Sequence, residues 1–253
     1  MYSLFNTVHR LPVRVASLVS SRKPSSLVTT ALKIPSRSQH KYTVSVEGNI
    51  GSGKSTLLYY LAQKLDVDVI PEPVHKWQDF RGVNLLEKVY MDPHNWAFVF
   101  QSYVQKTLVE NHLADCSSPV KLMERSIYSA RFCFVENLYS SGRLTEAEYL
   151  VYCKWFKAFT RYLDCSVDLI VYLRTDPLIA QKRIASRARF EEQMVSFEYC
   201  RDLHQRYEAW IGGSEVPAPV LVIDANEALR DLRYKYNIVM EIIENSMKKA
   251  QSC

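Results

Sequence analysis

The stretch EGNIGSGKST, residues 47–56, decides the fold of this chain. The chain has only seven glycines, and three of them fall within six positions of this stretch. The stretch fits the pattern G-x-x-x-x-G-K-[ST], in which backbone N–H groups cradle phosphates, the lysine reaches the outer phosphates and the hydroxyl binds Mg²⁺. We therefore predict a phosphate-binding loop made of Gly48, Asn49, Ile50, Gly51, Ser52, Gly53, Lys54, Ser55 and Thr56.

The residues on either side of the motif supply the context that it requires. A phosphate-binding loop of this kind joins a strand to a helix. Residues 42–46 alternate β-branched and aromatic side chains, which predicts a strand. Residues 54–65 place leucines at helical spacing, which predicts a helix. A flexible glycine turn without a ligand is the alternative for the motif taken alone.

The rest of the chain alternates short apolar runs with helical patterns. Further strands are predicted at 67–71, 120–124, 167–173 and 218–223. Helices are predicted at 84–91, 94–115, 127–140, 145–163, 176–188, 197–210 and 226–248. This alternation predicts an α/β fold with a parallel sheet. Ligands of such sheets bind beyond the carboxyl ends of the strands, so polar residues directly after strands are the candidate site residues.

The positive charge of the chain lies in its first 40 residues. The formal net charge is +5, and residues 1–40 contain six basic and no acidic residues. Removing those six from 32 leaves 26 basic against 27 acidic residues in the body, so we expect no general nucleic-acid binding. An Arg-rich, Ser-rich, acid-free segment is typical of a mitochondrial transit peptide. We predict that residues 1–40 are a disordered transit peptide that directs the chain to the matrix; a disordered basic tail is the alternative.

The sequence argues against a membrane-spanning protein, a disulfide-bonded protein and a zinc-binding protein. The sequence contains no run of about 18 apolar residues, so we expect no membrane-spanning helix and no membrane partner. The six cysteines form no C-x-x-C motif, and the six histidines show no metal-ligand spacing. We therefore predict reduced, intracellular cysteines, without a disulfide framework or a zinc site.

Two polar groups follow predicted strands. Glu72 comes at the end of the second strand, where a carboxylate near the phosphate loop can act as a general base. Glu124 and Arg125 leave the third strand. The carboxylate there can hold Mg²⁺ through water, and the arginine can bridge the nucleophile and the transferred phosphoryl group. Taken singly, a helix cap or a structural ion pair explains these residues as well.

A cluster of arginines follows the fourth strand. Arg183, Arg187 and Arg189 lie on the predicted helix 176–188 and on the turn behind it, with Glu191 and Glu192 directly after them. Arginine forks match phosphate oxygens and suit a lid that closes over a triphosphate. A solvated charged face is the alternative.

The aromatic-rich stretch NWAFVFQSYV, residues 95–104, places an amide among aromatic side chains. One interpretation is a helix that walls a pocket for a flat ligand, with Gln101 binding the polar edge of that ligand. The other interpretation assigns Phe98 and Phe100 to the core and Gln101 to the surface.

With these residues in place, the chain resembles the deoxyribonucleoside kinases, especially the mitochondrial thymidine kinases and the insect multisubstrate enzymes. The resemblance covers about residues 41–225 and rests on EGNIGSGKST, EPVHKW, NLLEKVYMDPHNWAFVFQSYV, MERSIYSARFCFVENLY, VDLIVYLRT and RIASRARFEE, in this order. It implies that residues 41–253 form a P-loop kinase domain with a five-stranded parallel sheet, flanking helices and an arginine-rich lid. It also implies a homodimer that uses ATP and Mg²⁺ to phosphorylate the 5′-hydroxyl of a deoxyribonucleoside.

The resemblance assigns roles to individual residues. Glu72 is the base at the 5′-hydroxyl, Arg125 contacts the same oxygen, and Tyr90 and Glu192 hold the sugar 3′-hydroxyl. Gln101 pairs with the nucleobase. By the resemblance, the nucleobase would stack near Phe134 and would be enclosed by Ile50, Trp77, Leu86, Phe100, Val104 and Ala130, with Leu108 as a further substrate-binding residue. Lys54 and the three arginines bind ATP, and Ser55 and Glu124 hold the metal ion.

The resemblance also bears on the substrate. Leu108 and Ala130 are apolar where relatives that prefer deoxycytidine and purines have charged residues, which implies room for the thymine methyl group. We therefore expect thymidine, deoxycytidine and deoxyuridine as substrates, in salvage of mitochondrial DNA precursors. Val89 and Leu108 stand where methionine is common among relatives. Phe190 replaces a polar lid residue, and Ser196 replaces a proline.

Two other functions are compatible with parts of this pattern. A non-catalytic accessory subunit of mitochondrial respiratory complex I resembles the same fold, and a nucleoside-monophosphate kinase uses the same loop. The presence of Lys54, Ser55, Glu72 and Arg125 together favours the enzyme over the accessory subunit. The helix with Gln101 argues against the monophosphate kinase.

Overall fold

The computed structural model of the chain describes residues 41–228 and 230–251. The predicted transit peptide, residues 1–40, lies outside the described residues. The described strands are β1 (Tyr42–Gly48), β2 (Val67–Ile70), β3 (Val120–Glu124), β4 (Leu169–Arg174) and β5 (Val220–Asp224). They form one sheet in the order β2-β3-β1-β4-β5, and every pairing is parallel. The predicted five-stranded parallel sheet is therefore confirmed.

Helices connect the strands and cover the sheet. They are α1 (Lys54–Ala62), α2 (Val74–Gln78), α3 (Leu85–Met91), α4 (Pro93–Leu113), α5 (Ile127–Ser129), α6 (Glu136–Ser140), α7 (Glu146–Tyr162), α8 (Pro177–Arg187), α9 (Phe197–Ile211) and α10 (Arg233–Gln251). A π-helical segment, Ala130–Val135, joins α5 to α6, and a 3₁₀ helix, Phe190–Met194, lies between α8 and α9. Within the described part of the chain, each helix is too short or too polar to cross a bilayer.

The topology brings the candidate residues to one edge of the sheet. Strand β1 lies between β3 and β4, and Val46 is in register with Glu124 and with Val171. The central strands are almost continuously buried because helices cover both faces of the sheet. The loop after β1 and the residues after β3 therefore leave the sheet side by side, at its carboxyl edge.

Several predicted elements differ from the structure in their bounds or in their type of helix. The predicted helix 127–140 contains the π-helical segment, because hydrophobic periodicity over six residues does not separate a π-turn from an α-turn. The predicted helix 226–248 begins only at Arg233. Asn226 instead accepts a hydrogen bond from the backbone N–H of Asp176, which ties this stretch to the loop before α8. Helix α2 and the 3₁₀ helix were not predicted.

Candidate active site

The loop between β1 and α1 has the conformation that its glycines allow. Gly51 and Gly53 have φ values of +77° and +95°, in the left-handed region that favours glycine. A Cβ atom on Gly51 would lie 2.5 Å from the carbonyl oxygen of Ala180 on α8. Glycine is therefore required at this position both by the backbone angle and by the close packing of the loop against α8.

Lys54, the first residue of α1, is buried beside this loop. Its Nζ donates hydrogen bonds to the carbonyl oxygens of Asn49, at 2.9 Å, and Gly48, at 3.4 Å. Burial, followed by the charge of Arg125, lowers the pKa of Lys54 to about 8. The loop thus holds a desolvated cation at a helix N-terminus, and both features favour a bound anion.

Ser55 and Glu124 form a pair of oxygen donors next to Lys54. The Ser55 Oγ lies 3.0 Å from each carboxylate oxygen of Glu124, which is the last residue of β3. No cluster of three or more His, Cys, Asp or Glu ligands occurs among the described residues. Mg²⁺ in phosphate sites needs no such cluster, because it keeps several waters and takes only one or two protein ligands. A hydroxyl and a carboxylate in this arrangement therefore fit that ion.

Arg125 is fixed by several partners. Its φ of +66° is uncommon for a residue other than glycine. The guanidinium Nε donates to Glu72 at 2.7 Å, while Nη1 donates to the carbonyl of Gly48, at 3.0 Å, and to the hydroxyl of Tyr207. The ring of Phe134 lies 4.6 Å from the guanidinium. Arg125, which is buried, and Glu72, which is partly exposed, therefore form an ion pair attached directly to the phosphate-binding loop.

A fully buried carboxylate, that of Glu47, ties the turn at Arg125 to β1. Glu47 accepts hydrogen bonds from Ser45, at 2.7 Å, and Ser126, at 2.6 Å. Burial raises the pKa of Glu47 in spite of these hydrogen bonds. Ser126 also caps α5, so the residue after Arg125 is hydrogen-bonded both to Glu47 on β1 and to the first turn of α5.

A cavity of about 500 Å³ leads from Lys54 and Ser55 into an apolar region between α3, α4 and the π-helical segment. It brings together every predicted catalytic, metal-binding and nucleoside-binding residue. The predicted residues that line it are Ile50, Gly51, Lys54, Ser55, Glu72, Trp77, Leu86, Tyr90, Phe100, Gln101, Val104, Leu108, Glu124, Arg125, Ala130, Phe134, Arg187, Arg189 and Glu192. Thr56 lies instead against a smaller depression near Tyr59 and Arg230.

Comparison with known proteins identifies the family. The family model described as "Deoxynucleoside kinase" matches residues 44–248. The chain belongs to the deoxynucleoside kinase family.

Individual relatives agree with this assignment. The chain is 47% identical over 191 residues to "Thymidine kinase 2, mitochondrial" of Homo sapiens, an alignment that covers 74% of this chain and 72% of the relative. It is 32% identical over 235 residues to "Deoxycytidine kinase 2" of Gallus gallus and 33% identical over 235 residues to "Deoxycytidine kinase" of Bos taurus. Each of these two alignments covers 80% of this chain and 89% of the relative.

As a member of this family, the chain is an ATP-dependent deoxyribonucleoside kinase. The family resemblance and the kinase activity predicted from the sequence are confirmed. The P-loop kinase fold is confirmed as well, by the family and by the all-parallel sheet.

The apolar end of the kinase cavity carries one buried amide. Gln101, on α4, lines the cavity, and its Oε1 has no hydrogen-bond partner among the described residues. Buried polar atoms are nearly always bonded, so an unpartnered amide oxygen in a cavity is suited to a polar ligand. Trp77 lines the same cavity, and its orientation is fixed because its Nε1 donates to Thr107 at 2.9 Å and its ring packs edge to face on that of Phe100.

The arginines predicted for the lid divide into two groups. Arg187 and Arg189 both donate to the carboxylate of Glu192, with the Arg189 contact at 2.7 Å. Arg183 does not line the cavity; it donates to the carbonyl of Glu227 in the stretch before α10. The structure thus places Arg187 and Arg189, but not Arg183, in contact with Glu192, the residue predicted to bind the sugar.

Sequence reasoning missed several residues that line or support the site. Tyr199 and Arg143 line the cavity, and the ring of Tyr199 packs edge to face on that of Tyr90. Tyr207 bonds to Arg125 from 82 positions away. No local pattern marks these residues. Glu47 had a signal, since it directly precedes the first glycine of the motif, but the motif gives that position no role.

Proposed function

We propose that this kinase phosphorylates the 5′-hydroxyl of pyrimidine deoxyribonucleosides, with thymidine preferred and deoxycytidine and deoxyuridine accepted. One observation carries the proposal. The Glu72–Arg125 ion pair lies at the junction between the phosphate-binding loop and the apolar cavity that contains Gln101. A nucleoside in that cavity, with its base at Gln101, would present its 5′-hydroxyl to Glu72 and to the γ-phosphate.

In the proposed reaction, Glu72 accepts the proton of the 5′-hydroxyl while the hydroxyl oxygen bonds to the γ-phosphorus. The bond between that phosphorus and the bridging oxygen breaks, and its electron pair leaves with ADP. Phosphoryl transfer with a loose transition state depends mainly on positioning and on charge stabilisation. Lys54 and Arg125 supply the positive charge, and both are fixed by hydrogen bonds to the carbonyl of Gly48.

Ser55 and Glu124 would hold the Mg²⁺ that accompanies ATP. The ion would neutralise charge on the β- and γ-phosphates. The 3.0 Å contacts between the hydroxyl and the carboxylate support this assignment, because two oxygen donors are already gathered beside the loop.

Tyr90 and Glu192 would hold the 3′-hydroxyl of the sugar. Burial, followed by nearby Tyr199, Glu192 and Glu72, raises the pKa of Tyr90 well above its ordinary value. Its phenol is therefore protonated at neutral pH and can donate a hydrogen bond. Glu192 is buried, and its carboxylate can accept one.

Selectivity for pyrimidines would come from Gln101 and the space around the ring. One orientation of the glutamine amide accepts from N3–H of thymine and donates to O4, and the reverse orientation matches cytosine. Ala130 and Leu108 are buried and apolar at the far end. A methyl group in such a niche is worth about 1–3 kcal/mol of discrimination, so thymidine should lead without excluding the other pyrimidines. The larger purines should be poorer substrates.

We further propose that residues 1–40 are a mitochondrial transit peptide and that the mature domain, residues 41–253, supplies DNA precursors in the matrix. The acid-free basic composition of this segment supports the proposal, as does a relative that is named mitochondrial. A reporter fused to the full chain should enter mitochondria, and deletion of residues 1–40 should abolish import without loss of activity. Cytosolic location of the full fusion would reject the proposal.

A homodimer is proposed through α7 and the helical segment 127–140. Trp155 is 56% exposed and Leu150 is 52% exposed, and Trp155 stacks on Phe159. Phe132, Tyr149 and Phe159, on the same helical segments, are only partly buried against the core and could contribute to this interface. Light scattering should give about twice the chain mass of 29.3 kDa, less the transit peptide. A monomer at micromolar concentration would reject the dimer.

The proposed function is tested by incubation of the purified chain with γ-labelled ATP and thymidine. Label should appear in thymidine 5′-monophosphate, and 5′-deoxythymidine, which lacks the accepting hydroxyl, should remain unlabelled. If unlabelled thymidine 5′-monophosphate were the better acceptor and labelled thymidine 5′-diphosphate the product, the chain would be a nucleoside-monophosphate kinase. Absence of transfer to any deoxyribonucleoside would contradict an active enzyme and favour the accessory subunit.

A further inference from the structure

The 3₁₀ helix Phe190–Met194 carries two adjacent buried carboxylates that bind different parts of the kinase. Glu192 accepts hydrogen bonds from the lid residues Arg187 and Arg189. Glu191, the residue before it, accepts at one oxygen from Gln78 and Asn84, both at 2.9 Å. One short helix therefore contacts the arginines and, through the neighbouring residue, the segment that contains α2 and α3.

The partners of Glu191 belong to the elements that wall the nucleoside end of the cavity. Gln78 is the last residue of α2 and follows Trp77, which lines the cavity. Asn84 is the N-cap of α3, where its Oδ1 accepts from the backbone N–H of Glu87 at 3.0 Å. Helix α3 carries further lining residues, among them Tyr90. A shift of α2 or α3 is therefore transmitted directly to Glu191.

The contact is well formed and charged. Glu191 is buried, although the phenyl ring of Phe190 beside it is exposed to solvent. Burial alone would raise the pKa of Glu191, but the hydrogen bonds from Asn84, its own backbone N–H and Gln78, with the charge of Arg189, hold it below its ordinary value. The acceptor is thus an ionised carboxylate, and hydrogen bonds to ionised groups are the stronger ones.

We propose that Glu191 is a positioning residue that couples occupancy of the nucleoside site to the arginines over the ATP phosphates. A nucleoside that orders α2 and α3 fixes Gln78 and Asn84, these fix Glu191, and Glu192 then moves with the same short helix. Coupling between two sites is a free energy and acts equally in both directions. This inference rests on the proposed binding of a nucleoside in the cavity.

The test is the change in affinity for a non-hydrolysable ATP analogue on addition of saturating thymidine, measured by calorimetry. Allosteric coupling commonly spans about 5–150-fold. In the wild-type kinase we expect thymidine to lower the Kd of the analogue at least about fivefold. In Glu191→Ala, the ratio of the Kd without thymidine to the Kd with thymidine should fall below about twofold. Glu191→Gln should restore about half of the lost coupling, because its amide oxygen still accepts from both partners.

Two further variants separate coupling from general damage. Glu198→Ala removes an exposed carboxylate from the first turn of α9 and should keep the wild-type ratio. Gln78→Ala removes one donor without a change at Glu191, and it should lower the ratio in the same direction. The double variant Glu191→Ala/Gln78→Ala should lose little more coupling than Glu191→Ala alone, since both changes break the same contact. If Glu191→Ala does not fold, Gln78→Ala tests the same contact independently.

The outcomes distinguish this inference from the proposed function. A wild-type ratio near one, or an unchanged ratio in Glu191→Ala and Gln78→Ala, would overturn the inference. Loss of coupling in Glu198→Ala as well would also overturn it, because the effect would then not depend on the Glu191 contact. Failure of thymidine to bind would reject thymidine as the preferred substrate instead, and the ratio is then measured with the deoxyribonucleoside that does bind.

Discussion

At the end of the cavity next to the phosphate-binding loop, the phosphate end, charged side chains hold one another in place. At the opposite end, where we propose that the nucleoside binds and which we call the nucleoside end, apolar side chains are held by packing. Lys54, Arg125 and Glu72 are joined through hydrogen bonds to one another or to the carbonyl of Gly48. Trp77 and Phe100 meet edge to face around a single buried amide, that of Gln101. In the proposed function, the first arrangement would stabilise the charge on the phosphates, and the second would select the shape of the nucleobase.

This difference predicts how each end responds to substitution. Removal of one member of an ion pair whose arginine is buried leaves an uncompensated charge, so changes at the phosphate end should affect turnover of every substrate. Changes in an apolar pocket alter the fit of particular substrates, by amounts that depend on which group is lost or added. The two ends should therefore be separable by kinetics.

The largest effect is expected for Glu72→Gln. A positioned general base contributes about 10²–10⁴-fold, so kcat should fall by about that factor. The KM for thymidine should change little, because the glutamine oxygen still accepts from Arg125 and keeps the pair in place. Steady-state kinetics would measure both constants. Glu110→Gln, at a surface carboxylate on α4 that pairs with Lys76 and Lys106, is the control and should behave as the wild type. Near-wild-type turnover in Glu72→Gln would remove Glu72 from the role of base.

The next largest effect is expected for Ala130→Asp at the opposite end. A carboxylate beside the 5-position would face O4 of thymine unfavourably, whereas the 4-amino group of cytosine can donate to it. We expect kcat/KM for thymidine to fall about 100-fold, and that for deoxycytidine about tenfold or less; a buried, unpaired polar contact can cost this much. Ala130→Ser, which adds a small uncharged group, is the control. Equal losses for both pyrimidines would contradict this assignment of the pocket.

A smaller effect follows from the lowered pKa of Lys54. In the free enzyme this lysine loses its proton as the pH rises through about 8. Phosphate binding requires the ammonium form, so ATP binding must take up a proton above that pH. The Kd for ATP with Mg²⁺ should be flat between pH 7 and 7.5 and rise by about tenfold per pH unit above 8. Calorimetry in buffers of different ionisation enthalpy would measure both Kd and proton uptake. Lys54→Met should bind weakly with no such rise, and an equal rise in this variant would assign it to another group.

The smallest effect is expected for Thr107→Val, which removes the acceptor of the Trp77 indole N–H. Loss of one buried hydrogen bond should reduce the free energy of unfolding by about 1–3 kcal/mol. Thermal unfolding should show a decrease in Tm of a few degrees, and kcat should stay within about twofold of the wild-type value. Thr160→Val on α7, whose hydroxyl bonds only to carbonyls of its own helix among the contacts described, is the control. A large loss of kcat in Thr107→Val would show that the nucleoside end also sets the chemistry.

The sequence predicted the phosphate end better than the nucleoside end, and the reason is physical. The loop from Gly48 to Thr56 and the polar residues after β2 and β3 follow local rules, since the carboxyl ends of parallel strands meet at one edge. The family resemblance, rather than periodicity, supplied the apolar residues around Gln101. No local rule distinguishes an apolar residue that lines a cavity from one in the core.

What the sequence could not predict depends on contacts between distant residues or on unusual backbone geometry. Tyr207 reaches Arg125 across 82 positions, and Gln78 reaches Glu191 across 113. The π-helical segment with Ala130 and the left-handed turn at Arg125 have no compositional signal, because neither position is a glycine or a proline. The three arginines predicted for the lid looked alike in the sequence, yet Arg183 binds a carbonyl outside the cavity.

The most direct test of the difference between the phosphate end and the nucleoside end is the ratio of kcat/KM for thymidine to that for deoxycytidine. We propose to measure it in three proteins: wild type, Glu72→Gln and Ala130→Asp. The base proposed at Glu72 would act on the 5′-hydroxyl that both proposed substrates share, so Glu72→Gln should lower both rates and leave the ratio within about twofold. Ala130→Asp should lower the ratio by about tenfold or more, since the group that it meets differs between the two bases. A ratio that changes in Glu72→Gln, or stays constant in Ala130→Asp while both rates fall, would contradict the account.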